Sequence, residues 1–111
     1  MTSPATQRRL RSRETLLAEL TAQTSALRRL GVTSLGLFGS YARNEQTSKS
    51  DVDLLVTFDH LTFRNFMDTK LLLEEALGLP VDLVLAGDLR PRLRERVLSE
   101  VIYATGLSPV S

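Results

Sequence analysis

Hydrophobic positions along the first part of the chain follow two different periods. Leucines recur at three- and four-residue steps across residues 8–30, which predicts an amphipathic helix that ends at Gly31. A short apolar run over residues 32–38 then predicts a strand, and Gly36 inside it marks a place where another segment can approach closely. The small and polar residues that follow are expected to form a connection, with a short helical turn over residues 40–43.

The rest of the chain continues to alternate strand and helix patterns. Residues 51–58 form the clearest strand, and because both of its faces are apolar beyond two carboxylates, we expect a central strand covered on both sides. A mostly apolar stripe predicts a helix over residues 62–77 that has a threonine N-cap and ends at Gly78. Residues 80–85 predict a third strand, and a proline in a favourable first-turn position starts a last helix that should run to about residue 104.

The resulting order of elements is helix, strand, turn, strand, helix, strand and helix. Apolar strands and amphipathic helices in this order predict an α/β (α+β) fold, in which a small mixed β-sheet is flanked by helices. A length of 111 residues fits one domain over residues 1–111, with residues 1–7 and 106–111 expected to be loose.

Composition narrows the class of protein. Hydrophobic residues make up 42% of the chain, enough for a core, and the formal net charge is +1. This balance argues against a dedicated DNA-binding protein, because nucleic-acid binders normally carry a large basic excess. The chain has no cysteine, no apolar run that resembles an export signal, and no segment near the ~20 apolar residues that a membrane span needs. We therefore expect a soluble, cytoplasmic protein.

Two carboxylates open the clearest strand. Asp51 and Asp53 are alternate residues, so their side chains point to the same face of the strand. Like charges side by side on an apolar strand cost stability, which indicates that a cation lies between them. Carboxylate oxygens held on a strand suit Mg²⁺, which prefers oxygen ligands and retains waters and phosphates.

A third acidic residue, Asp82, lies among apolar residues in the last predicted strand. If that strand pairs beside the one that carries Asp51 and Asp53, the three carboxylates could hold two Mg²⁺ ions roughly 3.5–4 Å apart. Such a site favours in-line displacement at phosphorus. Acidic residues in these positions also commonly lie at the solvated end of a strand, so each motif alone is a weak signal and their combination carries the hypothesis.

The turn before the carboxylates supplies candidate nucleotide-binding residues. Gly39 and Ser40 follow an apolar strand and start a helical turn, where exposed backbone N–H groups can hold a phosphate. Arg43 could contact phosphate or could instead pair with an acidic residue and hold the loop, and the sequence leaves both readings open. Ser50 lies directly before the carboxylate strand and completes this set.

These motifs resemble a known superfamily. Residues 38–43 (FGSYAR) and 50–56 (SDVDLLV) resemble the signature of the polymerase-beta-like nucleotidyltransferases, and more narrowly that of the MNT (minimal nucleotidyltransferase) proteins of bacteria and archaea. Residues 80–84 and 89–97 are similar to the end of MNT antitoxins. The resemblance covers residues 14–104 and implies the polymerase-beta-like nucleotidyltransferase fold.

The resemblance also implies an activity. Asp51, Asp53 and Asp82 would be catalytic and would bind Mg²⁺, while Gly39 and Ser40 would hold the triphosphate of ATP. The family pairs with HEPN-domain ribonuclease toxins, and some MNT antitoxins transfer AMP from ATP to a tyrosine of that partner. Two other functions stay open: an antitoxin that neutralises its toxin by binding alone, and a stand-alone transferase that acts on a small molecule or an RNA.

One position departs from the family pattern. The family usually has glycine where this chain has Asn44. Asparagine tolerates a left-handed backbone better than most residues, so we expect the turn to keep its geometry.

Overall fold

The computed structural model describes residues 11–107 of the chain, and within them it forms five α-helices and four strands. Of the segments expected to be loose, 1–7 and 106–111, residues 1–7 and 108–111 lie outside the described part and residues 106 and 107 lie within it. The elements, in chain order, are α1 (Arg13–Ala22), α2 (Thr24–Arg29), β1 (Val32–Phe38), α3 (Gly39–Ala42), β2 (Val52–Phe58), α4 (Phe63–Leu77), β3 (Val81–Leu85), a 3₁₀ turn (Ala86–Asp88), α5 (Pro91–Glu100) and β4 (Ile102–Tyr103).

The four strands form one mixed sheet in the order β3-β2-β1-β4. β1 pairs antiparallel with β2 and with β4, whereas β2 and β3 are parallel. The predicted α/β fold with a small mixed sheet and flanking helices is therefore confirmed. The predicted central position of β2 is also confirmed, since it has a neighbour on each side.

Both faces of β2 are covered. Leu54 and Val56 belong to the main core, which also contains buried leucines of α1, α2 and α4. Leu55 points to the opposite face and packs with Ala86 and Val97, so the 3₁₀ turn and α5 cover this side. Burial of each such aliphatic side chain contributes roughly 1.5–3 kcal/mol, which holds the strand firmly between the two layers.

The first predicted helix, over residues 8–30, is wrong in its continuity. Its residues 8–10 lie outside the described part. Within residues 11–107 the helix starts at Arg13, where the Ser12 side chain accepts a hydrogen bond from the Thr15 backbone N–H (3.1 Å) and caps it. It breaks at Gln23, and just after the break the Thr24 hydroxyl donates to the Thr21 carbonyl (2.9 Å). A side chain that takes a helical carbonyl competes with the regular backbone bond, which divides the segment into two helices.

The predicted helix over residues 62–77 is confirmed together with its N-cap. The Thr62 hydroxyl accepts from the Asn65 backbone N–H (3.0 Å), and the Asn65 side chain accepts from the Thr62 N–H (2.8 Å). This reciprocal pair satisfies two backbone donors at the helix start. Gly78 ends the helix in a left-handed conformation.

No helix within residues 11–107 has both the length and the apolarity needed to cross a bilayer.

The last helix was predicted to run to about residue 104, and this is wrong. α5 ends at Glu100, and the next residues form β4, which pairs with β1. A Cβ at Gly36 would collide with the Val101 side chain and would lie 3.1 Å from the Tyr103 ring. The predicted close approach at Gly36 is therefore confirmed: its missing side chain makes room for β-branched and aromatic residues that favour a strand over further helix.

Candidate functional site

The candidate carboxylates meet at the start of β2. Asp53 and Asp82 are direct partners in the parallel register of β2 and β3, so their side chains lie on the same face of the sheet. Asp51 lies just before β2, two residues from Asp53. Asp53 is half-buried, while Asp51 and Asp82 are exposed. The structure thus brings the three predicted carboxylates to one end of the sheet.

Negative charge is in excess at this end of the sheet. Burial, followed by the charges of Asp82 and Asp51, raises the pKa of Asp53 to about 6, although the Arg43 guanidinium acts in the opposite direction. A carboxylate with such a raised pKa is poorly compensated as an anion. The cluster therefore favours a bound cation.

Magnesium fits this donor set. Among residues 11–107, no three acidic, histidine or cysteine side chains form a ready metal-binding group. Mg²⁺ does not need one, because it is commonly held by one or two carboxylates together with waters and substrate phosphates. The hard oxygen donors and the uncompensated charge around Asp53 are what such an ion requires, and Asp51, Asp53 and Asp82 are the residues that could hold it.

The Gly39 loop packs directly on the carboxylate cluster. Gly39 has φ +75°, a left-handed conformation that favours glycine. A Cβ at this position would overlap the Asp53 carboxylate, with its Cγ only 3.0 Å away. Gly39 is also buried, and its backbone N–H donates to Glu100 Oε2 at 2.7 Å. The loop is thus held between Asp53 on one side and Glu100 on the other.

The two candidate serines lie at the ends of the connection between β1 and β2. Ser40 is in the first turn of α3, and its carbonyl accepts from the Glu45 N–H (2.8 Å), which closes the loop. The Ser50 hydroxyl accepts from the Thr47 N–H at 2.9 Å. Asn44 adopts a left-handed backbone with φ 60°, so the turn geometry predicted for this position is confirmed.

Arg43 pairs with two acidic side chains. Its Nε donates to Glu45 Oε1 at 2.9 Å, and one terminal nitrogen lies 3.2 Å from each oxygen of Glu100. These hydrogen bonds, first that to Glu45 and then that to Glu100, raise the pKa of Arg43 further. Of the two roles left open for Arg43, pairing with an acidic residue is the one seen here, and contact with phosphate stays a prediction.

Glu100 is the residue that sequence reasoning missed. It is the last residue of α5, and its carboxylate reaches the Gly39 N–H and the Arg43 guanidinium across more than fifty residues of chain. No local motif marks it, because α5 was expected to continue past this position. The only signal in the sequence is its charge, opposite to that of Arg43.

The comparison with known families decides what this arrangement is. A family model described as a nucleotidyltransferase domain matches residues 21–104, a stretch that contains the Gly39 loop and all three carboxylates. The chain belongs to the nucleotidyltransferase domain family. Membership is shown over most of the chain, and the nucleotidyltransferase activity expected from the resemblance is confirmed at this level.

Individual relatives of this nucleotidyltransferase agree with the family. It is similar to the protein adenylyltransferase MntA of Thermococcus cleftensis, with 44% identity over 86 residues that cover 76% of this chain and 87% of the relative. A solved structure of a protein assigned as a minimal nucleotidyltransferase is 44% identical, with a TM-score of 0.74 over 83% of this chain and 95% of that chain. One chain of a toxin–antitoxin crystal structure with AMP-PNP is 25% identical, with a TM-score of 0.62 over 79% of this chain and 74% of that chain.

Proposed function

We propose that this nucleotidyltransferase is a Mg²⁺-dependent antitoxin that transfers AMP from ATP to a tyrosine of a HEPN-domain ribonuclease toxin in the cytoplasm. The observation that carries the proposal is the in-register pairing of Asp53 with Asp82 beside the Gly39 loop. It puts an acidic cluster, suited to a cation, next to a loop suited to phosphate. The similarity to a protein adenylyltransferase and to a chain of a toxin–antitoxin complex supports the choice of a protein acceptor.

Each group of residues has its own part in the proposed reaction. Asp51, Asp53 and Asp82 would hold two Mg²⁺ ions, which, when bound, neutralise charge on the triphosphate and on the leaving group. The N–H of Ser40 lies in the first turn of α3, where helical carbonyls cannot pair with it, and it would donate to a phosphate oxygen. Ser50 shapes the loop that leads into the carboxylates, through its bond with the Thr47 N–H.

The transfer itself is an in-line displacement at the α-phosphorus of ATP. A bond forms between the tyrosine oxygen and this phosphorus, the bond to the β-phosphate oxygen breaks, and pyrophosphate leaves. The tyrosine proton passes to a carboxylate of the cluster, which acts as general base.

The test is ATP-dependent labelling of a purified HEPN partner, followed by intact-mass analysis. Asp53→Asn and Asp82→Asn should lower the labelling rate by about 100-fold or more, since each removes a charge that the transition state needs. Asp59→Asn is the matched control, because Asp59 is an exposed residue just past the opposite end of β2. Labelling by Asp53→Asn at the wild-type rate would contradict the assignment of the site.

A growth-rescue assay separates the enzyme from an antitoxin that acts by binding alone. With a catalytic antitoxin, cells that express the toxin should be protected by the wild type and by Asp59→Asn but not by Asp53→Asn. Full protection by Asp53→Asn, with no change in the mass of the toxin, would instead favour neutralisation by binding. Labelling of a small molecule or an RNA without any partner protein would favour the stand-alone transferase.

A further inference from the structure

The side chain of Glu100 contacts two parts of the site. Its Oε2 accepts from the Gly39 N–H at 2.7 Å, and both oxygens lie 3.2 Å from one terminal nitrogen of Arg43. The side chain is only 17% exposed, whereas Glu95, the other acidic residue of α5, is exposed. A short bond from a carboxylate to a buried backbone N–H is charge-assisted and holds its donor in place.

The sheet fixes Glu100 in turn. The next residue, Val101, packs into the space above Gly36, and β4 follows at once and pairs with β1. The end of α5 is therefore tied to the same strand that ends at the Gly39 loop. Because Gly39 lies against the Asp53 carboxylate on its other side, the position of Glu100 sets where the loop stands relative to Asp53.

We propose that Glu100 is a positioning residue for nucleotidyl transfer: it holds the Gly39 backbone and the Arg43 guanidinium beside Asp53 in the arrangement that the triphosphate enters. This inference rests on the function proposed above. Glu100 does not touch the reacting atoms, and it acts through the loop and the arginine. A misplacement of about 1 Å at a reacting centre can cost about 100-fold in rate, so a residue with this role affects turnover more than binding.

A second role for Glu100, competition with the triphosphate, predicts a different change in the binding of ATP. A carboxylate on phosphate-binding groups could be an internal competitor that the triphosphate must displace, and its removal would then tighten the binding of ATP. Positioning is favoured because Gly39 is buried and lies against Asp53, so its N–H is not exposed for a phosphate to take from Glu100. The two roles differ in the sign of the change in KM for ATP.

Steady-state kinetics of partner labelling test the proposal with Glu100→Ala and Glu100→Gln. Glu100→Ala should lower kcat by about 10- to 100-fold while KM for ATP changes by less than about threefold. Glu100→Gln keeps an oxygen acceptor for Gly39 but loses the charge that pairs with Arg43. Its kcat should therefore lie between those of the wild type and Glu100→Ala. Glu95→Gln, on an exposed position of the same helix, should match the wild type. A lower KM with an unchanged or higher kcat in Glu100→Ala would overturn the proposal.

Amide hydrogen exchange gives a readout that needs no transfer activity. The Gly39 N–H should exchange at least about tenfold faster in Glu100→Ala than in the wild type, whereas the amide of Val56, in the centre of the sheet, should be unchanged. Equal exchange at Gly39 in both proteins would overturn the positioning role even if the enzyme is active. If Gly39 exchanges faster in Glu100→Ala but the wild type labels no partner, the hold of Glu100 on Gly39 stands and the proposed function is contradicted.

Discussion

The two ends of β2 differ in the side chains that they present. The end that begins the strand holds the acidic cluster, a left-handed Gly39 pressed against Asp53, and a carboxylate whose pKa is raised to about 6. The other end, where β2 leads towards α4, presents two exposed apolar side chains: Leu61 and Phe63 are 52% and 82% exposed, and a shallow groove lies beside them. Unbalanced charge is concentrated at the first end, and carboxylates with perturbed pKa values are commonly found at functional sites.

The difference shows how this small fold separates stability from chemistry. Leu54, Leu55 and Val56 occupy the centre of β2 and are fully buried, so the middle of the strand supplies the packing. The acidic end depends on that support, because its own groups repel one another. Changes at the two ends should therefore have very different effects.

Gly39→Ala should have the largest effect. The new Cβ would overlap the Asp53 carboxylate and would force a left-handed backbone on alanine, so we expect a loss of about 2–3 kcal/mol of unfolding free energy and no detectable labelling. Urea denaturation measures the loss. Two other glycines serve as controls. Gly78→Ala has the same left-handed backbone but no neighbour within 4 Å, and should cost about 1 kcal/mol. Gly87→Ala has neither a left-handed backbone nor a neighbour within 4 Å. Equal losses at Gly39 and Gly87 would contradict the tight packing of the loop.

Added Mg²⁺ should stabilise the acidic end. At a free concentration of ten times its dissociation constant, an ion that binds only the folded protein adds about 1.4 kcal/mol, which thermal unfolding detects as a higher Tm. The gain should appear in the wild type at pH 8 and should disappear in Asp53→Asn, whereas Asp59→Asn at the opposite end should behave as the wild type. An identical rise in Tm for Asp53→Asn would place the ion elsewhere.

Asp53→Asn should stabilise the metal-free protein at alkaline pH. Burial, then the Asp82 and Asp51 charges, and to a smaller extent Glu100, raise the pKa of Asp53 to about 6, against the partial opposition of Arg43. The unfolded carboxyl titrates near pH 4, so the folded protein binds more protons between these values. The contribution of this group to stability is therefore complete below about pH 4 and is lost as the pH rises through 6.

The size of that effect is modest because Asp53 is only half-buried and solvent screens its charge. We expect Asp53→Asn to gain about 1 kcal/mol over the wild type at pH 8 and nothing below pH 4, measured by urea denaturation across this range. Asp59→Asn should show no such dependence. A constant difference between Asp53→Asn and the wild type from pH 4 to 8 would contradict the raised pKa.

Phe63→Ala should have the smallest effect on stability. Phe63 is 82% exposed at the first position of α4, and surface substitutions of this kind change the unfolding free energy by less than about 0.5 kcal/mol. Phe66→Ala is the contrasting change one turn later, because Phe66 is partly buried against Phe58 with ring centroids 6.4 Å apart, and its loss should cost about 2 kcal/mol. Equal costs for the two changes would show that the apolar end is not as open as described.

The features that could be predicted from the sequence are those set by local patterns. The alternation in residues 51–58 was enough for a central strand, since both sets of side chains are apolar, and Thr62 with Gly78 marked the bounds of α4. The left-handed position of Asn44 also follows from the residue itself. Convergence of Asp82 on Asp53 needed only the assumption that their strands are neighbours.

The features that were missed depend on contacts distant in the sequence. β4 forms because Gly36 leaves room for Val101 and Tyr103, and no sequence pattern near residue 101 predicts a strand there. The pairing partner of Arg43 could not be chosen, because the chain offers many acidic residues and only the folded position of α5 selects Glu100. The break at Gln23 is the exception, because it depends on a local competition between backbone and hydroxyl donors that helical periodicity does not reveal.

The direction of β4 has a practical consequence for handling the protein. β4 runs antiparallel to β1, so the chain leaves the sheet at the opposite end from Gly39, where the Arg28 guanidinium donates to the Gly106 carbonyl. A fluorophore, affinity tag or surface tether attached after residue 107 would start on that remote side. Immobilisation through this point leaves the acidic cluster and the Gly39 loop on the far side from the attachment, which suits single-molecule and biosensor tests of the proposed ATP and partner binding.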